Sequence, residues 1–248
     1  MVDVLADQIG ALVLTGVLGM SGYVPPADTF GTVGPDRMRG TPGVDRINVL
    51  AGNDVVRALE GQDWIKGAGG RDLIWGMSGS DRLFGNNDND LLLGGKGDDA
   101  LRGDDQDDQL EGGTGADRVK GSEDDDTIFG GSGADDLRGG PGDDEHRGAT
   151  GPDHLSGGEG DDRLVGGADS DVMEGKAGRD RVLPGPGRDQ VDLTDHSRPA
   201  RAEVDVVRLG RDGQRDRVTC DALDRVVLVG GGDSRDVLDG CENVVEAS

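Results

Sequence analysis

The chain repeats a nine-residue unit without interruption from Gly31 to Asp192. Eighteen consecutive units fit this frame with no insertion or deletion, as in GGSGADDLR at 130–138 and GGEGDDRLV at 157–165. A short fixed period indicates a structure of stacked copies, in which each unit contacts mainly its neighbours.

The sixth position of the unit is aspartate in every copy. These aspartates are the candidate metal ligands: Asp36, Asp45, Asp54, Asp63, Asp72, Asp81, Asp90, Asp99, Asp108, Asp117, Asp126, Asp135, Asp144, Asp153, Asp162, Asp171, Asp180 and Asp189. Calcium takes about six to eight oxygen ligands, and both carboxylates and backbone carbonyls supply them. A carboxylate at the same point of each stacked unit therefore predicts rows of calcium sites.

The remaining positions of the unit favour a turn followed by a short strand. The fourth position is glycine except at Asp88, Gln106, Asp124 and Asp169, and the eighth is apolar except at His146. Glycine at this frequency excludes a helix, since each glycine costs about 1 kcal/mol there relative to alanine. Residues one to six are expected to form a turn with left-handed glycines, and residues seven to nine a strand whose middle side chain points inward.

The composition excludes an ordinary globular core and indicates which classes of partner the chain can bind. The chain has 47 Gly, only six aromatic residues and a net charge of −25. Such acidity argues against nucleic acid as a partner, because nucleic-acid binding requires Lys and Arg to neutralise phosphates, and it favours cations. A solvated disordered chain is the alternative for this composition, but the fixed spacing favours an ordered repeat.

The unit resembles the RTX nonapeptide GGxGxDxUx of hemolysin-type calcium-binding β-rolls, over residues 31–192. The resemblance implies an all-β, right-handed parallel β-roll in which two nonapeptides make one coil. Each of several calcium ions is then expected between turns stacked on the same side, so that Asp36 shares an ion with Asp54, Asp45 with Asp63, and so on to Asp171 with Asp189. Secretion, or a place on the cell surface, is also implied.

Each nonapeptide buries one apolar side chain. The free energy gained from that burial is small compared with the free-energy cost of ordering the backbone of nine residues. The metal-free chain is therefore expected to be largely unfolded, with calcium binding as the source of folding free energy.

Several residues depart from the pattern. His146 is interpreted as a tolerated local defect, with a second metal site shared with Glu145 as the alternative. Val49, Ala58 and Pro184 replace the first glycine of their units. The calcium sites predicted near these three residues are therefore the least certain of the set. Acids at the fifth position are interpreted as solvated surface, although they also raise the local field: Asp98, Asp107, Asp125, Asp143 and Asp161.

Residues 1–30 are assigned to an N-terminal apolar segment and linker. The run Ile9–Met20 has the length of a signal-peptide core but is too short for a transmembrane span, which requires roughly 20 apolar residues. Asp3 and Asp7 precede it where a secretory signal has basic residues. Its alternative role is a strand or cap that packs on the repeat domain.

Residues 193–248 are assigned to a C-terminal cap of degenerate repeats. An aspartate followed two residues later by an apolar residue persists there, as at Asp205/Val207, Asp216/Val218, Asp224/Val226 and Asp236/Leu238. Cys220 and Cys241 are expected to form a disulfide in an oxidising compartment, with two free thiols as the alternative. The tail resembles the C-termini of secreted actinobacterial repeat proteins, and a type I secretion signal is the other interpretation.

No HExxH, GxSxG or P-loop motif occurs in the chain, so we expect a calcium-dependent structural module and no enzyme, with no catalytic residue and no cofactor besides calcium. An adhesion or matrix-binding protein that uses the sheet faces, with a cell-surface or matrix component as partner, is the first alternative. The C-terminal part of a secreted hydrolase is the second. The oligomeric state stays open.

Alternate units fall on opposite sheets if two of them make one coil. Odd-numbered units then gather apolar outward residues, and even-numbered units gather basic ones. We expect the apolar patch of Val55, Leu73, Trp75, Leu91 and Leu93 to be covered by the N-terminal segment, the tail or another molecule. Isolated surface hydrophobes are the alternative. The basic face is interpreted as offsetting the acidic turns in preference to binding a polyanion.

Overall fold

The structure, a computed structural model, describes residues 29–194, 205–210, 212–220, 224–229 and 235–247. These residues form 24 β-strands and no helix. No membrane-spanning helix is therefore found in the described part of the chain.

The strands are β1 (Thr29–Phe30), β2 (Arg37–Arg39), β3 (Arg46–Asn48), β4 (Val55–Glu60), β5 (Trp64–Gly69), β6 (Leu73–Ser78), β7 (Arg82–Asn87), β8 (Leu91–Lys96), β9 (Ala100–Asp104), β10 (Gln109–Thr114), β11 (Arg118–Ser122), β12 (Thr127–Ser132), β13 (Asp136–Pro141), β14 (Glu145–Thr150), β15 (His154–Glu159), β16 (Arg163–Ala168), β17 (Val172–Ala177), β18 (Arg181–Leu183), β19 (Gln190–Asp192), β20 (Val206–Leu209), β21 (Arg217–Thr219), β22 (Arg225–Val229), β23 (Val237–Asp239) and β24 (Asn243–Ala247).

The strands form two parallel sheets of 12 strands each. One sheet contains the odd-numbered strands and the other the even-numbered strands, each in chain order. Within the repeats the paired residues are 18 positions apart, as in Ile65 with Leu83 and Leu110 with Ile128. Two nonapeptides therefore make one coil, and the predicted parallel β-roll is confirmed.

Eighth-position side chains fill the space between the two sheets. Ile74 and Leu92 are completely buried, and the flanking seventh and ninth positions are exposed or half-buried. This alternation follows from the two-residue period of a strand. The core is thus a single file of side chains from each sheet, extending along the axis of the roll.

From the third to the seventeenth unit, the turns have left-handed backbone at two positions of each unit. At the fourth position, Gly79 has a φ of 135°, and the predicted exceptions Asp88 and Gln106 adopt values of 75° and 76°. A Cβ built on Gly79 would lie 1.4 Å from the carbonyl oxygen of Gly61 in the preceding coil. The second position is also left-handed, even where it is occupied by a residue such as Leu59 with a φ of 95°.

Both sheets extend beyond the repeats. At the N-terminal end, β1 pairs with β3, and at the C-terminal end β20 to β24 add further coils. A disulfide joins Cys220 and Cys241, which follow the neighbouring strands β21 and β23, with a Cα–Cα distance of 4.9 Å. The apolar run at 9–20, interpreted from the sequence as a signal, a strand or a cap, lies outside the described residues.

The two sheet faces differ as the alternation of units predicted. Val55, Leu73, Trp75 and Leu93 lie outward on even-numbered strands, where they are half-buried by their neighbours, and the Arg57 guanidinium lies 4.7 Å from the centre of the Trp75 ring. The described tail strands extend each sheet at its end and do not lie over this patch. The described part of the tail therefore does not cover this patch, and its coverage by the N-terminal segment or another molecule stays a prediction.

Candidate calcium sites

The sixth-position aspartates form two columns, one along each row of turns. In each column the backbone amide of one aspartate donates a hydrogen bond to Oδ1 of the aspartate one coil later, as from Asp72 to Asp90 and from Asp81 to Asp99, both at 2.7 Å. The same bond links Asp36 to Asp54. The pairs that the resemblance implied are therefore direct neighbours in a column.

The second carboxylate oxygen, Oδ2, is different. It is buried and accepts no hydrogen bond at Asp54, Asp63, Asp72, Asp81, Asp90, Asp99, Asp108, Asp117, Asp126, Asp135, Asp144, Asp153, Asp162, Asp171 and Asp189. A buried anionic oxygen without a partner is unfavourable, because burial removes water and nothing replaces it. The repetition of this oxygen along both columns suits the ligand set of a hard cation such as calcium.

The surroundings of Oδ2 suit an oxygen-seeking ion. A Cβ built on Gly85, at the first position of its unit, would lie 2.2 Å from Oδ2 of Asp90 and 2.9 Å from the carbonyl oxygen of Gly103 in the next coil. Because glycine has no Cβ, the Oδ2 atom of Asp90 and the carbonyl oxygen of Gly103 can both lie close to this position. Calcium accepts this mixture of ligands, whereas magnesium requires a more regular shell.

Side chains alone do not complete a site. Across the described ranges, no group of three or more His, Cys, Asp or Glu side chains is arranged to hold a metal ion. Ions in the turns therefore need backbone carbonyl oxygens in addition to the aspartates. That requirement explains why the glycine-rich turn and the aspartate recur together.

Burial raises the pKa of the column aspartates, and the neighbouring carboxylates add to this effect. The pKa of Asp162 is raised to about 9, and those of Asp90 and Asp126 to about 8. The main cause in each is desolvation, which the hydrogen bond from the preceding aspartate opposes. Near the N-terminal end the pKa of Asp63 is raised only to about 6. Without a cation, the anionic form of the columns is therefore disfavoured most in the middle of the roll.

In the first coil, the Oδ2 atoms of the column aspartates accept hydrogen bonds, unlike those of most later coils. Oδ2 of Asp36 accepts a hydrogen bond from the amide of Thr32 at 2.6 Å, and Oδ2 of Asp45 accepts one from Thr41 at the same distance. These oxygens are already satisfied by the chain. The predicted weakness near the missing glycines has a structural basis too, since Val49 is buried where other units leave the glycine space open.

Four further aspartates continue the columns beyond the repeats. The amide of Asp180 donates to Oδ1 of Asp205 at 2.8 Å, and that of Asp189 donates to Oδ1 of Asp216 at 3.1 Å. Asp224 and Asp236 each occupy the next place in their column. From the sequence, these residues were predicted to lie in capping strands and were not included among the metal ligands. Each is followed two residues later by an apolar residue, as in the repeats, and this spacing could have identified them as column members.

His146 occupies the core row and is completely buried. Neither ring nitrogen has a hydrogen-bond partner, and desolvation lowers the pKa of the imidazole to about 4. Glu145 is outward on the same strand and forms an ion pair with Arg163. A metal site shared by His146 and Glu145 is therefore wrong, because their side chains lie on opposite faces of the sheet.

The fifth-position acids lie on the outside of the turns. They form a separate ladder in which the amide of Asp143 donates to Oδ1 of Asp125, and that of Asp161 to Oδ1 of Asp143, both at 2.7 Å. Four of the five acids are exposed, and Asp161 is half-buried, in agreement with their interpretation as surface residues: Asp98, Asp107, Asp125 and Asp143 are the exposed ones.

Comparison with known proteins gives one family. The RTX calcium-binding nonapeptide repeat matches the chain in seven windows that together cover more than half of it: residues 30–65, 39–74, 57–92, 75–110, 84–119, 111–145 and 147–191. No curated protein matches the chain. Together with the two aspartate columns, the matches show that the chain belongs to the RTX calcium-binding repeat family and that its β-roll is a calcium-binding structural module.

Proposed function

We propose that the protein is an extracellular structural module that folds when several calcium ions bind along both rows of turns, and that it has no catalytic site. The observation that carries this proposal is the repeated Oδ2 atom, which is buried and accepts no hydrogen bond at positions such as Asp90 and Asp126. A cation beside each Oδ2 supplies the missing partner.

In this proposal the sixth-position aspartates from Asp36 to Asp189 are the carboxylate ligands, and neighbours in one column share an ion. The hydrogen bond from Asp108 to Oδ1 of Asp126 holds the carboxylate in place and leaves Oδ2 for the metal. Nine aspartates in each column give eight intervals, so the repeats hold about 16 ions in total. Asp205 and Asp216 add further intervals at the C-terminal end.

Calcium binding is coupled to folding because the folded state brings the anionic aspartates of each column together, which is unfavourable without a cation. Desolvation and mutual repulsion both disfavour the anionic aspartates, as the raised pKa values of Asp90 and Asp162 indicate. A divalent ion between two such carboxylates reverses both effects. Its binding free energy is then folding free energy, because the unfolded chain has no preformed site.

Two features support an extracellular setting. The disulfide between Cys220 and Cys241 ties together the last coils of the roll, and such bonds persist in oxidising compartments. Sites of this kind in extracellular modules have dissociation constants of about 0.1 to 1 mM, so they fill where calcium is abundant. Folding after export follows from the same argument.

The ligand assignment is tested by counting ions with native mass spectrometry. We expect about 16 calcium ions on the wild-type protein, and far fewer magnesium ions under the same conditions. A variant with Asp90→Asn, Asp108→Asn and Asp126→Asn removes three neighbours from one column and should lose about four ions, one from each interval they flank.

The matched control changes three exposed fifth-position acids, with Asp98→Asn, Asp107→Asn and Asp125→Asn. This control alters the net charge equally, so it should keep the full ion count. Fewer than about eight ions on the wild type, or equal losses in both variants, would contradict the shared columns.

A further inference from the structure

From β3 to β11 the outer face of the odd-numbered sheet is positively charged, although the whole chain has a net charge of −25. On the odd-numbered strands from β3 to β11, Asp104 is the one acid at an outward position. The outward positions include six cations, which we call the cationic face: Arg46, Lys66, Arg82, Arg102, Arg118 and Lys120. The charge of this sheet is therefore opposite to that of the turns on either side of it.

The cations are evenly distributed along the roll. Each strand from β3 to β9 contributes one, alternately from the seventh and the ninth position of its unit, as with Arg46, Lys66 and Arg82. Neighbouring strands are about 4.8 Å apart, so the positive charges follow the axis of the roll at that interval. This arrangement matches an extended ligand with repeated negative charges.

Direct ion pairs with acidic side chains involve few members of the cationic face. Arg102 forms an ion pair with Asp104, but the other five members have no ion pair with any described residue. The interpretation of the face as an offset to the turns therefore accounts for one of its six members. The column aspartates are buried, and calcium would neutralise them, which leaves the cations as the dominant charge of this face.

Two aromatic rings lie among the cations. Trp64, on β5, is 36% exposed, and its ring centre is 5.6 Å from that of Phe84 on β7. A groove of about 610 Å³ at this end of the face is lined by Arg46, Trp64 and Arg82, in that order along successive strands, and by Phe30. The buried column aspartates Asp45 and Asp63 also line it, and calcium would neutralise them. An aromatic platform between two guanidinium groups fits a ring with an apolar face and a carboxylate at its edge.

We propose that the cationic face binds an acidic polysaccharide, with a sugar ring on Trp64 and its carboxylates paired with the arginines of the groove and of the following strands. A single-stranded nucleic acid also offers rings and charges, but most of its affinity comes from a dense phosphate backbone that a chain of charge −25 repels. Carboxylates spaced along a sugar chain need only the local face. The proposal goes beyond calcium binding and folding.

The test uses calcium-saturated protein and hyaluronan oligosaccharides, with binding measured by isothermal titration calorimetry. We expect hyaluronan to bind and neutral dextran not to bind. The variant Arg46→Gln, Arg82→Gln, Arg118→Gln should bind hyaluronan at least about tenfold more weakly and show a smaller salt dependence, since three charge pairs are lost.

The matched control removes three exposed arginines from the other sheet, with Arg37→Gln, Arg163→Gln and Arg181→Gln. It has the same net charge as the first variant and should bind within about twofold of wild type. Trp64→Ser should weaken binding while the salt dependence stays unchanged, because the ring contributes stacking and no charge.

Circular dichroism in calcium confirms that each variant is folded, so loss of sugar binding is measured independently of calcium-driven folding. The proposal is overturned if hyaluronan binds no better than dextran, if both arginine variants lose binding equally, or if an oligothymidine strand binds more tightly than hyaluronan. None of these results would affect the proposed calcium sites.

Discussion

The backbone amide of Asp126 donates a 2.8 Å hydrogen bond to Oδ1 of Asp144, one coil further along the roll. This bond fixes one oxygen of the carboxylate and leaves Oδ2 of Asp144 buried without a partner. The same relationship recurs along both columns, so each coil orients the ligand of the next. Loss of one aspartate therefore affects two intervals, which gives the sites a measurable dependence on position.

The first prediction compares a central aspartate with the first one. Asp126→Asn should weaken calcium binding at its two neighbouring intervals by at least tenfold, since even indirect partners of a metal ligand contribute about that much. Asp36→Asn should have a smaller effect, because Asp36 has a column neighbour on one side only and its Oδ2 is held by Thr32. Calcium titrations of both variants measure the difference. Equal shifts in the midpoint would argue against shared ligation.

The second prediction concerns pH in the absence of calcium. In the unfolded chain an aspartate has a pKa near 3.8, whereas Asp63, Asp90 and Asp162 have folded-state values of about 6, 8 and 9. The folded state therefore retains protons, and the stability this contributes is complete below about pH 4 and is lost as pH rises through about 6 to 9. In chelator, β-structure measured by circular dichroism should increase as pH falls from 8 to 5. A decrease over that range would contradict the burial of the columns.

The third prediction uses two glycines that differ in their surroundings. Gly79→Ala should destabilise the calcium-loaded roll by at least about 2 kcal/mol, because it combines a left-handed backbone with a clash against the Gly61 carbonyl. Gly69→Ala is the control, since no heavy atom lies within 4 Å of a Cβ at that position. Its effect should stay within about 1 kcal/mol. Urea denaturation in calcium compares the two, and similar losses would exclude the close approach of neighbouring turns.

The fourth prediction concerns His146. Replacing it with leucine, which occupies this position in seven other units, should stabilise the roll by about 1 to 3 kcal/mol, because two buried ring nitrogens without partners are removed. His154→Gln is the control on the outer face, where the change should be within about 0.5 kcal/mol. Thermal unfolding in calcium measures both. A destabilised His146→Leu variant would show that the imidazole has a role in the core.

The regular part of the roll could be predicted from the sequence because its two determinants are strictly periodic. Aspartate at the sixth position and an apolar residue at the eighth give the coil length, the inward row and the two ligand columns. Asp205 and Asp216 were not recognised as column members because they follow Asp180 and Asp189 by 25 and 27 residues, whereas column neighbours within the repeats are 18 residues apart. An inserted loop changes the spacing along the chain but not the stacking in space.

Other features depend on contacts between coils and cannot be predicted from the order of residues in the chain. The orphaned Oδ2 atoms arise from the direction of a hydrogen bond between coils, and that direction has no signature in the pattern of residues. The groove at Arg46, Trp64 and Arg82 joins residues 18 positions apart, so it becomes visible only after the units are placed on alternate sheets. The alternation of units predicted a basic face from the sequence, but it did not place Trp64 between Arg46 and Arg82.

Calcium-dependent folding is tested most directly by circular dichroism of the chelator-treated protein at neutral pH, followed by titration with calcium and, separately, with magnesium. We predict little β-structure in chelator and a cooperative gain at about 0.1 to 1 mM calcium, with no comparable gain in magnesium. A spectrum already rich in β-structure before calcium is added would contradict the account.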